Sequence, residues 1–216
     1  DIQFPFRRYQ MQTVWRADRP QHGRFREFLQ CDADVVGERS LWQEVEGVLL
    51  YDRVFSKLKL KEVQIHLNHR KILAGIAQFI GAESQLIDFT VALDKLTKIG
   101  IDNVVNELES KGFSSDAIDR LKPFLFLEGD FESQLAKVSK ALEGIEIAQE
   151  GIDELRFIYG ELNKQSLNSI SLTFDVTLAR GLNYYTGLIL EVIPPEGIKM
   201  GALGGGGRYD NLTDLF

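Results

Sequence analysis

The 216-residue chain is poor in the residues that cross-link proteins or bind metals. It has one cysteine, Cys31, and three histidines, His22, His66 and His69. A single thiol excludes a disulfide framework within the chain, so a reduced, cytoplasmic setting is expected. Neither cysteine nor histidine recurs at zinc-site spacing, and no metal site is expected. No apolar run approaches the length of a membrane span and no secretory leader opens the chain, so no membrane partner is expected. A GxxxxGK[ST] sequence is missing, which argues against a P-loop nucleotide site. Basic residues are outnumbered, with 25 Lys and Arg against 32 Asp and Glu and a net charge of -7. That balance argues against a broad basic face for nucleic acid, and any RNA contact must use local patches or charge elsewhere in the parent protein. What is present is ordinary globular composition, 44% hydrophobic and 10% aromatic, enough for one sizeable domain or two small ones. The chain opens on Asp1, with Ile2, Phe4 and Phe6 close behind, and closes on "NLTDLF". Both ends read as cuts through folded structure.

Hydrophobic periodicity divides the chain in three. In "RYQMQTVWR", Met11, Thr13 and Trp15 share one parity and Gln10, Gln12, Val14 and Arg16 the other. In "REFLQCDADVV" the apolar set is Leu29, Cys31, Ala33 and Val35, and the opposite set is Arg26, Phe28, Gln30, Asp32 and Asp34. Both stretches predict strands, joined by a loop that Pro20 and Gly23 punctuate. The apolar set is the face expected to be buried. Ser40 and Gln43 form a possible capping box before a helical pattern from Leu41 to Leu58, and Val63, Ile65 and Leu67 then alternate as a short strand. From about residue 70 to 165 the spacing is mostly helical. Gly81 and Gly112 read as helix ends, Ser114 or Ser115 as a cap, and Pro123 as a limit to the helix that follows. Residues 170–178 alternate again, "GLILEVI" predicts another strand stopped by Pro194 and Pro195, and a third begins near glycines 204–207. The order of strands, helices and strands predicts an α+β fold with an antiparallel sheet and a helical insertion. The expected division is a core over 1–68, an insertion over 69–166 and a second part of the core over 167–216.

Four clusters carry chemistry. Phe28, Gln30, Asp32 and Asp34 are short or planar groups on one strand face, suited to stacking a flat ligand and bonding its polar atoms. A solvent-facing sheet explains them as well. Arg16, Arg19, Arg24 and Arg26 bracket one loop with Asp18 and Glu27. Guanidinium forks match phosphate or carboxylate oxygens in pairs, although a solvated loop is the commoner meaning of clustered charge. In "LARGLNYYTG" Tyr184 and Tyr185 follow Arg180, which suits an apolar pocket with hydroxyls and an anion holder or, equally, a strand end with core tyrosines. Parity puts Arg180 with Phe174, Val176 and Leu178, so the strand must end or bulge if Arg180 is to reach a polar site. The run "GGGGRYDNL" allows close backbone approach to a ligand, or is a flexible loop. His22 lies in the arginine-rich loop and could touch phosphate. His66 and His69 read as structural.

The clusters stand in a known order. "VWRADRPQHGRFREFLQCDADVVG" resembles the second signature motif of class II aminoacyl-tRNA synthetases in its histidine-specific form. "ARGLNYYTG" and "GGGGRYDNL" resemble the two histidine-specific motifs of that family, and the helical stretch between resembles its insertion domain. The resemblance implies an antiparallel sheet flanked by helices. It implies ATP-dependent activation of histidine, with Mg2+, to histidyl-adenylate, then transfer to tRNA(His), by a homodimer. Arg16 would hold the ATP α-phosphate and the amino-acid carboxylate. Asp18, Arg24 and Arg26 would serve the ATP phosphates or order the loop, and Phe28 would stack on adenine. Gln30 would meet the amino-acid end of histidine. Asp34 and Tyr185, with Tyr184 beside them, would bind the imidazole. Arg180 would be the catalytic arginine, stabilising charge at the α-phosphate. Asp18 and Asp34 stand where glutamate is expected, and Asn183 where aspartate is. The first and third class II motifs and the anticodon-binding domain are not in the chain, so the 216 residues alone are not expected to activate histidine. The alternative reading is a histidine-binding regulatory subunit of ATP phosphoribosyltransferase.

Overall fold

The structure, a computed structural model, describes residues 2–21, 23–179 and 184–211, apart from the side chain of Thr97. Strands β1 (Phe6–Trp15) and β2 (Glu27–Val36) form an antiparallel hairpin, in register from Phe6 opposite Val36 to Trp15 opposite Glu27. Helix α1 (Trp42–Lys57) and strand β3 (Val63–His69) follow. A helical excursion then runs through α2 (Arg70–Phe79), α3 (Leu86–Leu93), α4 (Leu96–Ile99), α5 (Ile101–Ser110), α6 (Ser115–Leu125), α7 (Phe131–Ala141) and α8 (Glu146–Asn163). Strands β4 (Ile170–Phe174), β5 (Leu188–Ile193) and β6 (Gly204–Gly207) return to the sheet.

Its order is β4-β3-β5-β6, separate from the hairpin. β5 runs antiparallel to β3 and β6 to β5, but β4 runs parallel to β3. The sheet is therefore mixed rather than purely antiparallel. A parallel neighbour needs a long crossover, and the helices between β3 and β4 supply one. Alternation in β3 and β5 puts Val63, Ile65 and Leu67 on one face with Leu188, Leu190 and Val192, and all six are buried. The helices cover that face with Ile72, Leu73 and Ile76 of α2 and with Ile152, Leu155, Ile158 and Leu162 of α8. Small residues let these two helices approach closely: a Cβ on Gly75 would lie 2.4 Å from that of Ala148. The opposite face carries Gln64, His66 and Asn68 beside Ser171 and Thr173.

Several expectations change in detail. Strand β4 stops at Phe174, so Val176 and Leu178 are buried in a turn rather than on a strand. Pro123 sits inside α6, which runs on to Leu125. Ser40 accepts from the Trp42 amide at 3.3 Å rather than closing a capping box, and the Gln43 side-chain oxygen is buried without a partner. The hairpin reverses the expected burial. Phe28, Gln30, Asp32 and Asp34 are half-buried, whereas Tyr9, Met11, Leu29 and Cys31 on the apolar face are exposed, Leu29 to 76%. Alternation separates two faces but does not say which one another element will cover.

Two ionic groups tie these pieces together. His69 ends β3 and caps α2, accepting from the Lys71 amide through Nδ1 at 3.2 Å. Its other nitrogen lies 2.9 Å from Glu154 of α8, and Lys71 Nζ reaches the same carboxylate at 2.5 Å. The His69 contact lowers the Glu154 carboxyl most, burial opposes it, and Lys71 lowers it further, to about 2 against an ordinary 4.5. Arg208, just past β6, grips Glu44 of α1 with two hydrogen bonds of 2.5 and 2.9 Å, and also donates to the Ser40 carbonyl. The two side chains are 13% and 7% exposed, and the Glu44 bond raises the Arg208 pKa above its ordinary value.

Because the Glu154 pKa is depressed on folding, its stabilising effect is full above the unfolded value near 4.5 and is lost as pH falls towards 2. Unfolding free energies measured across that window should fall less steeply in Glu154→Gln than in the parent. Arg208→Met strands a buried carboxylate and should cost about 3 kcal/mol in denaturant unfolding, with partial recovery in the Arg208→Met, Glu44→Leu double variant.

Candidate active site

The half-buried face of the hairpin is a continuous polar strip. Register sets Arg8 opposite Asp34, Gln10 opposite Asp32, Gln12 opposite Gln30 and Val14 opposite Phe28. Arg16 lies over the Phe28 ring, its guanidinium carbon 4.2 Å from the centroid, and donates to Gln30 Oε1 at 3.2 Å. Gln30 in turn donates through Nε2 to both oxygens of Asp32, at 2.8 and 3.1 Å. Arg8 stands 3.3 Å from Asp34 and also bonds Gln10. Gln10, Gln30, Asp32 and Asp34 are thus each aimed by a neighbour, the preorganisation that a binding surface needs. One face of Phe28, expected to stack on adenine, is covered by Arg16.

The loop is built around Asp18. Its carboxylate accepts from Arg24 Nε at 2.8 Å and lies 4.0 Å from Arg16, while its backbone carbonyl accepts from Arg26 Nε at 3.2 Å. Gln21 and Arg24 exchange backbone hydrogen bonds across the tip, and Gly23 takes a φ of 72° there. The tip rests against the β5–β6 connection: a Cβ on Gly23 would lie 3.8 Å from the Met200 Cα. Three guanidiniums therefore cluster on one acidic residue, leaving positive charge unbalanced beside the strip.

The second part of the site arrives on β5 and β6. The rings of Tyr184 and Tyr185 lie 4.4 Å apart. Tyr185 packs on the glycine strand: a Cβ on Gly207 would meet its ring at 2.9 Å and the Leu188 carbonyl at 2.4 Å. The glycines thus admit a close neighbour rather than forming a loose loop. Two residues past β6, the Tyr209 hydroxyl donates to Asp34 Oδ1 at 2.7 Å, a contact spanning 175 positions. Burial pushes the Tyr209 hydroxyl well above its ordinary value, and the Asp34 bond adds to the shift.

Arg16, Asp18, Arg24, Arg26, Phe28, Gln30 and Asp34 therefore share one strip, and Tyr184 and Tyr185 join its Asp34 end through Gly207 and Tyr209. Arg180, Asn183 and His22 lie outside the described residues. His66 and His69 stand apart from the strip, paired with Asp175 at 3.0 Å and Glu154. Sequence reasoning passed over Tyr209 and Arg8 as individual site residues. Tyr209 stands within the quoted glycine motif, but no local spacing links it to Asp34. Among the described residues no three His, Cys, Asp or Glu side chains gather to hold a metal ion, and no described helix is long and apolar enough to cross a membrane.

A family model for histidyl-tRNA synthetase matches residues 2–216. The histidine–tRNA ligase of Christiangramia forsetii is 57% identical over 216 residues, which are 100% of this chain and 47% of that protein. The Flavobacterium johnsoniae ligase is 56% identical over 100% of this chain and 46% of its own length. Among solved structures, histidyl-tRNA synthetase from Nostoc sp. PCC 7120 superposes with a TM-score of 0.87 at 31% identity, covering 100% of this chain and 50% of that one. A Bacillus halodurans C protein described as an ATP phosphoribosyltransferase regulatory subunit/histidyl-tRNA synthetase shares the fold, with a TM-score of 0.80 at 22% identity over 98% of this chain and 53% of that one. The chain spans about half the length of the curated relatives it matches. With 215 of its 216 residues under one family model and relatives 56–57% identical over its whole length, the chain belongs to the histidyl-tRNA synthetase family.

Proposed function

We propose that the protein carrying this chain is a histidine–tRNA ligase, which activates histidine with ATP to histidyl-adenylate and transfers the histidyl group to tRNA(His). The observation that carries the reading is the Asp34–Tyr209 bond, which sets the tyrosine-bearing strands against the end of the arginine-lined strip. Asp34, Tyr185 and Tyr184 receive the imidazole. A ring with two nitrogens needs a partner at each, and a carboxylate with a nearby hydroxyl meets that need. Gln30 takes the amino-acid end. Arg16 bridges that end and the ATP α-phosphate, with Arg24 and Arg26 on the remaining phosphates and Asp18 holding the three in place. Phe28 stacks on adenine once Arg16 swings from its ring to phosphate.

The chemistry explains why arginines dominate. Carboxylate attack on the α-phosphorus brings two anions together, and prepositioned guanidiniums offset their repulsion and the charge that builds in the transition state. Arg180 serves as the catalytic arginine, a role that rests on the sequence motif. The described residues form no acidic cluster suited to a protein-held metal ion. The magnesium implied by the family would be carried by the nucleotide's phosphates. A homodimer, a cytoplasmic setting and the division into core (1–68 and 167–216) and insertion (69–166) belong to the same proposal. The regulatory-subunit reading has weaker support. It rests on a structural neighbour at 22% identity, whereas relatives at 56–57% are ligases by name.

Histidine-dependent ATP–pyrophosphate exchange by the full-length protein tests the reading; histidine binding without exchange would favour the regulatory subunit instead. Asp34→Ala should weaken histidine binding by about 2 kcal/mol, roughly 30-fold, in calorimetry. Tyr209→Phe, which removes only the bond to Asp34, should cost about 1 kcal/mol in the same titration. Arg180→Ala should raise the activation barrier by roughly 3–4 kcal/mol, read as a fall in the exchange rate.

A further inference from the structure

We infer that Asn68, a buried residue near the end of β3, is a positioning residue for the catalytic step: its side-chain amide fixes the backbone that leads into Arg180. The inference rests on the role given to Arg180 above.

Asn68 has no exposed surface. Its Nδ2 donates to the carbonyls of Val176 and Leu178, at 3.0 and 2.9 Å. Two carbonyl acceptors fix the amide's orientation, because the flipped group would set oxygen against oxygen. The remaining atom, Oδ1, is buried without a hydrogen-bond partner among the described residues. An unpaired buried oxygen is costly, and an apolar residue here would avoid it. Core packing therefore does not explain an asparagine at this position, whereas the two bonds to 176 and 178 do.

The backbone it holds is otherwise shaped by its own turn. Asp175 donates its amide to the Leu67 carbonyl and accepts the Leu178 amide, each at 3.0 Å. Its side chain accepts from the Thr177 amide and hydroxyl and lies 3.0 Å from His66 Nδ1. That arrangement leaves the carbonyls of Val176 and Leu178 to Asn68. Two residues after Leu178 comes Arg180. The chain's return is held by the same strand end, where His69 pairs with Leu188 and the Arg70 amide donates to the Gly187 carbonyl at 2.9 Å. Three consecutive residues, 68 to 70, thus hold both flanks of the 179–186 stretch. The outgoing flank, with Tyr185, is held by backbone. The incoming flank is tied to β3 at Asp175, by its amide on Leu67 and its carboxylate beside His66, and nearer Arg180 by the Asn68 side chain on Val176 and Leu178. A substitution at Asn68 loosens the incoming flank alone, so it should disturb the arginine more than the histidine-binding tyrosines.

The test is ATP–pyrophosphate exchange by the full-length protein carrying Asn68→Ala, Asn68→Ser, Arg180→Ala or both Asn68→Ala and Arg180→Ala. A displacement on the ångström scale at a reacting group costs up to roughly 100-fold. Asn68→Ala should therefore lower kcat by about 10- to 100-fold while the KM for histidine stays within about threefold, and Asn68→Ser, which keeps one donor, should lose less. In the Arg180→Ala background, Asn68→Ala should cause no further loss, the non-additivity expected of residues acting through one another. Folded Asn68→Ala with parental kcat, or strictly additive losses, overturns the inference and leaves the function standing. If Asn68→Ala does not fold, Asn68→Ser decides on the same criteria. If Arg180→Ala exchanges at the parental rate, the role given to Arg180 falls and the inference with it.

Discussion

Strand β3 is bonded on both edges, parallel to β4 and antiparallel to β5, and the rest of the molecule depends on that double pairing. It brings to the two edges of β3 segments that the whole helical excursion separates from it in sequence. Long-range pairing carries a loop-closure cost, and the buried face shared by β3, β5, α2 and α8 offsets it with apolar area removed from water. The double pairing has a chemical consequence at one end only. The C-terminal end of β3, with Asn68, His69 and Arg70, meets the turn after β4, helix α8 and the start of β5. Structural and functional demands therefore fall on three adjacent residues.

The hairpin obeys a different logic. Among the described residues it shares no ladder with the four-stranded sheet, and its polar strip is ordered mainly by its own side chains. Arg16, Phe28, Gln30 and Asp32 form a relay in which each group orients the next. Asp18 gathers the loop arginines. Such a surface can exist before ligand arrives, which lowers the ordering cost of binding. Among the described residues the hydrogen bond that links the strip to the second half of the chain is Tyr209 on Asp34, next to Arg208 and its pair with Glu44.

Family membership and chemistry bear on each other here. Several of the residues that identify the family in the sequence, Arg16, Phe28, Gln30 and Asp34 among them, lie on the strip. Glycines 204–207 illustrate why motif and mechanism coincide. In isolation they read as a close approach to a ligand or a flexible loop, yet they form a strand on which Tyr185 rests. At Gly204 and Gly207 the requirement for glycine is steric, set by the Tyr51 ring at the first and by the Leu188 carbonyl and the Tyr185 ring at the second.

Much of this was legible from residue order alone. Period-two alternation located β1, β2, β3 and the start of β4, an apolar run stopped by prolines located β5, helical spacing located α1 and the helical excursion, and the hairpin's two faces were separated correctly. These are local properties, set by backbone geometry and by the side chains a few positions away. The sequence could not say which hairpin face is covered, that β4 ends before Val176 and pairs in parallel, or that Tyr209 meets Asp34 and Asn68 meets Val176 and Leu178. Those outcomes depend on contacts across roughly a hundred residues or more. They are decided by which surfaces exclude water together and which buried polar groups find partners, and neither leaves a periodic mark on the chain.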